Sequence, residues 1–378
     1  MKLEQTKMSG NGEWEPEKPG LLGDSAQLVF VFGGKSVLKR ESFFREVRQA
    51  YPSAHLIGCS TAGEIYDTRV SDDTMVVTAV RFEHTEIRGV SVNINEVACS
   101  FEAGARLAKA LPVQGLNHVF VLSDGLSVNG SELVSGLASI LPGDIKITGG
   151  LSADGSRFEE TVVIWDGPAQ KDVVAAIGFY GDRIKVGFGS LGGWDQFGPE
   201  RLITRSKDNI LYELDGQSAL ELYKVYLGEH ARGLPATGLL FPLSLRTGGE
   251  NGLVRTILAV DEAEQSMTFA GDVPEGIYAR LMRANFDRLI DGAAGAAKTS
   301  NQAFGGKNPD LAILISCVGR KMVLKQRIEE EVESVREVLG NDTVLAGFYS
   351  YGEISPFTPE AKCELHNQTM TITTFSET

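Results

Sequence analysis

The sequence is poor in the residues that mark several common functional classes. Only four cysteines occur in 378 residues, Cys59, Cys99, Cys317 and Cys363, and none forms a C-x-x-C pair. Neither a disulfide framework nor a zinc finger is signalled, and reduced thiols fit the pattern. No window approaches about eighteen consecutive apolar residues, and the opening "MKLEQTKMSGNGEWEPEKPG" has no apolar signal core. These absences predict a soluble, cytoplasmic protein with no membrane insertion and a flexible tail over residues 1–24. A basic patch is also missing. The formal charge of −14 repels phosphate backbones and anionic headgroups, which argues against nucleic-acid partners. No G-x-x-x-x-G-K-[ST] loop occurs, and no G-x-G-x-x-G opens a helix after a strand, so the usual nucleotide cradles are absent.

What is present is a repeated turn. "LIGCSTAGEI" at residues 56–65 returns as "LAGFYSYGEI" at 345–354, and a looser copy, "KITGGLSADG", lies at 146–155. Each follows the same order of patterns: an apolar run ("LVFVF", "HVFVLSDGL", "LAILISCVG"), an amphipathic helix, the turn, and a second apolar run ("MVVTAV", "VVAAIGFYG", "TMTITTF"). The helices place Phe43, Phe44, Val47 and Tyr51 inward in the first copy. Leu133, Val134, Leu137, Ile140 and Leu141 do so in the second, and Ile328, Val332, Val335, Val338 and Leu339 in the third. Glycine-rich corners resemble one another because few residues tolerate close backbone approach, but that does not explain the preserved order of elements. The expected fold is α/β, with layered mixed sheets flanked by helices, built from strand-helix-strand-strand units with internal pseudo-symmetry. The trailing strand of each unit is expected beside its own crossover. A segment of different pattern separates the second and third copies. It reads as short strands, a helix starting near Ser218, a hairpin over "VRTILAVDEAEQSMTFAGDV" and a long helix over "EGIYARLMRANFDRLIDGAAGAAKTS". A boundary near Asp215 divides the chain into domains 25–215 and 216–378.

Superposing the turns puts Gly58, Gly149 and Gly347 in one column and Thr61, Ser152 and Ser350 three residues on. Glu64 and Glu353 coincide, and Asp154 sits one place early. Such turns expose N–H groups and hydroxyls at the carboxyl edge of a sheet, where open α/β sheets bind ligands. Candidate ligand-binding residues are Gly58, Cys59, Ser60, Thr61, Gly63, Glu64, Gly150, Ser152, Asp154, Tyr349, Ser350, Tyr351, Gly352 and Glu353. Backbone N–H groups near Gly58, Gly63, Gly347 and Gly352 would cradle an anionic end, and the two glutamates would meet an ammonium or orient the turns. Cys59 raises the alternative of a cysteine-dependent hydrolase or amidotransferase, but Gly150 and Phe348 replace it in the sister turns, and no base is identifiable among the five histidines. The reading without an enzyme is preferred.

"GCSTAGEI", "GGLSADG", "YELDGQSALELY", "GLLFPL", "ISCVGR", "GFYSYGEISPF" and "CELHNQTMTITTFSE" together resemble the FIST domain family, with its N-terminal and C-terminal parts. The resemblance implies an intracellular sensory module of bacterial-type signalling that binds a small ligand. With no kinase, receptor or cyclase pattern in this sequence, it further implies relay to a separate signalling protein such as a histidine kinase. One branch of the family binds haem b, senses nitric oxide and regulates a cognate kinase. On that alternative His366 is the candidate axial ligand and His55 the second choice, and the haem would be noncovalent because no C-x-x-C-H motif exists.

Overall fold

Apolar runs buried on both faces become the central strands of three six-stranded sheets. The computed structural model describes residues 1–246, 253–357 and 361–378. In the first unit, Leu28–Gly33 and His55–Ser60 run parallel and are joined through the helix Glu41–Ala50. The second unit repeats this with Leu116–Ser123, the helix Gly130–Ala138 and Lys146–Leu151. The third uses Leu311–Cys317, the helix Ile328–Leu339 and Val344–Ser350. As the pattern predicts, the trailing strands Met75–Arg81, Val173–Tyr180 and Met370–Glu377 each lie antiparallel against the first strand of their own unit. A leading strand then covers each trailing strand: Lys2–Met8, Glu86–Asn93 and Ile184–Leu191.

The segment that follows each glycine-rich turn leaves its unit. Glu64–Tyr66 of the first unit pairs with Val344–Ser350 of the third. Val163–Trp165 of the second pairs with His55–Ser60 of the first, and Gly352–Pro356 of the third pairs with Lys146–Leu151 of the second. Every unit gives one strand and receives one, in a closed cycle. One face of all three sheets meets in a shared aromatic core, where Phe30 packs edge-on to Phe120 at 5.5 Å, Phe32 lies 4.8 Å from Phe348, and Phe179 lies 5.0 Å from Phe375. Each such ring contributes roughly 1.5–3 kcal/mol by leaving water.

Three expectations change. The leading residues are not a loose tail throughout: Lys2–Met8 is a strand in full register with Met75–Arg81, because its alternate residues Glu4, Thr6 and Met8 are buried. The long helix expected over 275–300 is two elements. Tyr278–Ala284 is a strand with Ala279 and Leu281 buried, and the helix Phe286–Asn301 starts only where the Asn285 side chain accepts from the Arg288 amide. Ile140, expected inward, lies beyond its helix and is exposed.

Between the leading strand and the helix of the third unit, the described residues of 194–284 form an additional eight-stranded sheet with its own core around Leu211, Tyr223, Met267 and Phe269. The division read from sequence at residue 215 falls inside this sheet, in the turn from Ile210–Leu214 to Gln217–Ser218. Its helix, Ala219–Leu227, is capped by Ser218, whose hydroxyl accepts from the Glu221 amide at 3.2 Å.

Candidate functional site

The glycine column exists because adjacent strands come too close for a side chain. A Cβ at Gly58, Gly149 or Gly347 would collide with the carbonyl oxygen of the parallel neighbour, Val31, Val121 or Leu314. Beyond these glycines the turns converge and hold one another in a ring. The Ala62 amide donates to the Tyr349 carbonyl at 2.8 Å, the Ala153 amide to Ser60 at 2.8 Å, and the Tyr351 amide to Leu151 at 3.3 Å.

The hydroxyls and acids singled out in the turns meet each other. Thr61 donates to Glu64, whose other oxygen accepts from the Thr74 amide at 3.0 Å and the Thr74 hydroxyl at 2.7 Å. In the third unit Ser350 donates to Glu353 at 2.6 Å, and Thr369 supplies its amide at 3.2 Å and its hydroxyl at 3.0 Å. Each acid thereby fastens its turn to the residue immediately before the trailing strand. Burial pushes the Glu64 carboxyl up to about 7 and the Glu353 carboxyl up to about 8, against the opposing effect of their hydrogen bonds. The second unit moves this fastening to Asp124, which accepts from the Asp172 amide at 3.2 Å.

Asp154 is thereby released for another task. Its carboxylate accepts from the amides of Phe158, Glu159 and Glu160 at 2.9–3.2 Å, from the Tyr351 hydroxyl, and from Lys35 Nζ at 3.3 Å. Burial works to raise this carboxyl, but those donors outweigh it and hold it below the usual range. Lys35, Asp154 and Tyr351 come from the first, second and third units, so one carboxylate ties all three.

Beside this junction opens a cleft of about 420 Å³. The first unit contributes Gly34, Thr61, Ala62, Glu64, Asp72 and Asp73, the second Gly155, Ser156 and Arg157, and the third Val318, Lys321 and Met322. Lys321 is held over the turn by the Ala62 carbonyl at 2.7 Å and by Asp72, with the Tyr349 ring 5.8 Å away. Arg157 is half-exposed, and its only charged partner among the described residues is Asp154 at 3.8 Å. Two cations and two exposed or half-exposed acids therefore face one opening at the carboxyl ends of the first strands, an arrangement able to hold a small molecule bearing opposite charges.

Of the residues expected to bind ligand, Thr61 and Glu64 line this cleft and Gly63 adjoins it, while Asp154 braces it from behind. Gly58, Cys59, Ser60, Gly150, Tyr349 and Glu353 are enclosed in strand pairing or core. Ser152 is enclosed as well, its hydroxyl without a partner among the described residues, and Ser350 is committed to Glu353. Tyr351 and Gly352 lie at the edge facing the second unit, with Phe158 stacked on the Tyr351 ring at 4.3 Å. The residues missed were Asp72, Asp73, Arg157, Lys321 and Met322. Their nearest signal was "ISCVGRKM", in which the recognised motif stops one residue short of Lys321.

The Cys59 thiol is fully buried, and burial, reinforced by Glu64, raises its ionisation well above the ordinary range. His366 does not fit an axial role: Nε2 is engaged by the Ser355 carbonyl at 2.7 Å, Phe357 closes over the ring at 4.1 Å, and burial lowers the imidazole to about 4. His55 sits at the far end of its strand from the turns, bound to Asp166 at 2.7 Å and stacked on Trp165. Among the described residues no group of three or more His, Cys, Asp or Glu is placed to hold a metal ion, and no helix is long and apolar enough to cross a membrane.

Fold and cleft together define a layered α/β protein of three interlocked units gathered around one polar opening. Residues 27–217 match the FIST N domain and residues 219–356 the FIST C domain, so the chain belongs to the FIST family, a family of sensory domains of signal transduction. An uncharacterized protein of Methanocaldococcus jannaschii is 22% identical over 376 residues, covering 88% of this chain and 70% of that protein. A cyanuric acid hydrolase from A. caulinodans aligns with 100% of this chain and 98% of its own at a TM-score of 0.36 and 8% identity.

Proposed function

We propose that this chain is a signal sensor that binds a small carboxylate-bearing ligand in the three-unit cleft, without turnover, and passes the signal to a separate protein such as a histidine kinase. The observation that carries the reading is that all three units line the opening, so an occupant is positioned to alter how they sit together. Lys321 and Arg157 supply donors for a carboxylate, and Asp72 and Asp73 supply acceptors for an ammonium or hydroxyl on the same ligand. The Ala62, Ala153 and Tyr351 amides are spent in the inter-unit ring and the Gly63 amide on the Thr61 hydroxyl, which favours side chains over a backbone cradle as the recognising groups. Haem gains no support from His366, whose two ring nitrogens are respectively bonded and enclosed.

A thermal-shift panel of amino acids, dicarboxylates and hydroxy acids tests the reading. At about 100 times Kd a true ligand adds about 2.7 kcal/mol to stability. The expected result is a shift from one chemical class that is lost in Lys321→Met and in Arg157→Met. A shift that survives both substitutions, or no shift from any member, would remove this cleft as the sensing site.

A further inference from the structure

The short helix Val318–Leu324 has two working sides. Lys321 and Met322 face the polar cleft, whereas Met322, Val323, Leu324 and Lys325 line a separate groove of about 420 Å³. Leu240, Phe241 and Phe286 complete its apolar wall, and Phe286 is 45% exposed, one of few large apolar side chains left in water. The charged residues lining it are Arg283, Lys325 and Arg327, and among the described residues no acid lines it. Arg327 is neutralised by Glu330 at 2.7 Å and Asp287 at 3.0 Å. Arg283 and Lys325 are exposed and have no carboxylate within ion-pair distance among the described residues. Lys325 also occupies a positive φ of 51°, unusual for a residue with a side chain, where the helix ends. An apolar groove rimmed by unpaired cations is thus conspicuous on a chain of net charge −14.

We propose that this groove is the docking face for a partner protein, and that its occupant is an amphipathic helical segment with acidic flanks. The apolar side of such a segment covers Phe286, Met322 and Leu240, and its carboxylates reach Arg283 and Lys325. Charge complementarity selects the acidic segment, because a basic one would meet like charge on both rims. Since Met322 lines both openings, docking and ligand occupancy act on one short helix. Only that purpose rests on the sensor reading; the docking itself is measured with no ligand present, so the two fail separately.

The test uses the full chain and a fluorescent peptide of about 18 residues, with leucines at i, i+3, i+4 and i+7 and glutamates between them, read by anisotropy. A lysine-for-glutamate copy of the peptide is the comparison. The expected result is binding of the acidic peptide that weakens by about tenfold or more in Arg283→Glu/Lys325→Glu, and that is unchanged in the charge-matched Lys109→Glu/Lys307→Glu at the same ionic strength. Phe286→Ser provides an independent variant should the double reversal unfold, and it is expected to weaken binding as well. Equal binding of both peptides, acidic binding that survives the reversal and Phe286→Ser, or capture by phosphatidylglycerol vesicles that the acidic peptide does not compete would overturn the proposal.

Discussion

Ser350 and Glu353 are joined by a 2.6 Å hydrogen bond in a space closed to solvent, and Thr61 with Glu64 makes the same bond one unit away. These hydroxyls therefore serve the fold before any ligand. Ser350→Ala leaves a buried carboxyl one donor short, and the expected loss is about 1–3 kcal/mol, read as a lower midpoint in denaturant at unchanged slope. Thr61→Val should behave alike, while Thr61 also borders the cleft. Unchanged stability in both variants would show that the bonds contribute nothing.

Glu64 and Glu353 also set a pH dependence. Their folded carboxyls titrate at about 7 and about 8 against 4.5 for the unconstrained group, so the folded chain holds protons that the unfolded chain has lost, and stability falls as pH rises between those values. His118 and His366, lowered by burial to about 3 and about 4 from 6.5, act oppositely: their contribution is present above 6.5 and is lost on acidification. The two effects oppose each other up to pH 6.5, and above it the carboxyls act alone. Stability is expected to drop by about 2 kcal/mol from pH 6.5 to 8.5, with Glu353→Gln flattening most of that slope. A wild-type curve that rises over this interval would contradict the assignment.

Gly347→Ala drives a methyl into the Leu314 carbonyl between two parallel strands, where neither backbone can retreat without breaking the ladder. The expected cost is at least ~3 kcal/mol, the upper end for overpacking, and Gly58→Ala should match it. Gly143→Ala, which meets nothing within 4 Å, is the control and should be nearly neutral. Comparable melting temperatures for Gly347→Ala and Gly143→Ala would refute the close-approach account.

For the cysteines, exposure decides reactivity. Cys99 is exposed and should label rapidly with a thiol reagent in the native protein, whereas buried Cys59 and Cys317 should label only after unfolding. Cys59→Ala is expected to keep any ligand-induced thermal shift and to lose about 1 kcal/mol of packing. Loss of ligand response at unchanged melting temperature would instead implicate the thiol.

The repeat was legible because its causes are local. Glycines mark the close strand contacts, and period-3.6 patterns such as Val332, Val335 and Leu339 mark the covering helices. What escaped was which strand pairs with which. Glu64–Tyr66 carries nothing in its own residues that names Val344–Ser350 as its neighbour, some 280 positions away. The cleft escaped for the same reason, since Arg157 and Lys321 come together only after that exchange. The strand Tyr278–Ala284 was misread as helix because its leucine, methionine and alanine are good helix formers. Pairing with Trp194–Lys207 overrides that preference.

The one-way passing of strands has an arithmetic to it. A unit that surrenders the segment after its turn is left with an unpaired edge that only another unit can cover: the first covers the third, the third covers the second, and the circuit closes when the second covers the first. A solitary copy would satisfy its backbone only as a ring of three identical molecules. This polypeptide is such a trimer in covalent form, its subunits strung together through residues 82–85 and 181–183. The sameness of three subunits has been broken where it matters: the second keeps a carboxylate, Asp154, that grips its neighbours, the first offers Lys35 to it, and the third carries an extra sheet.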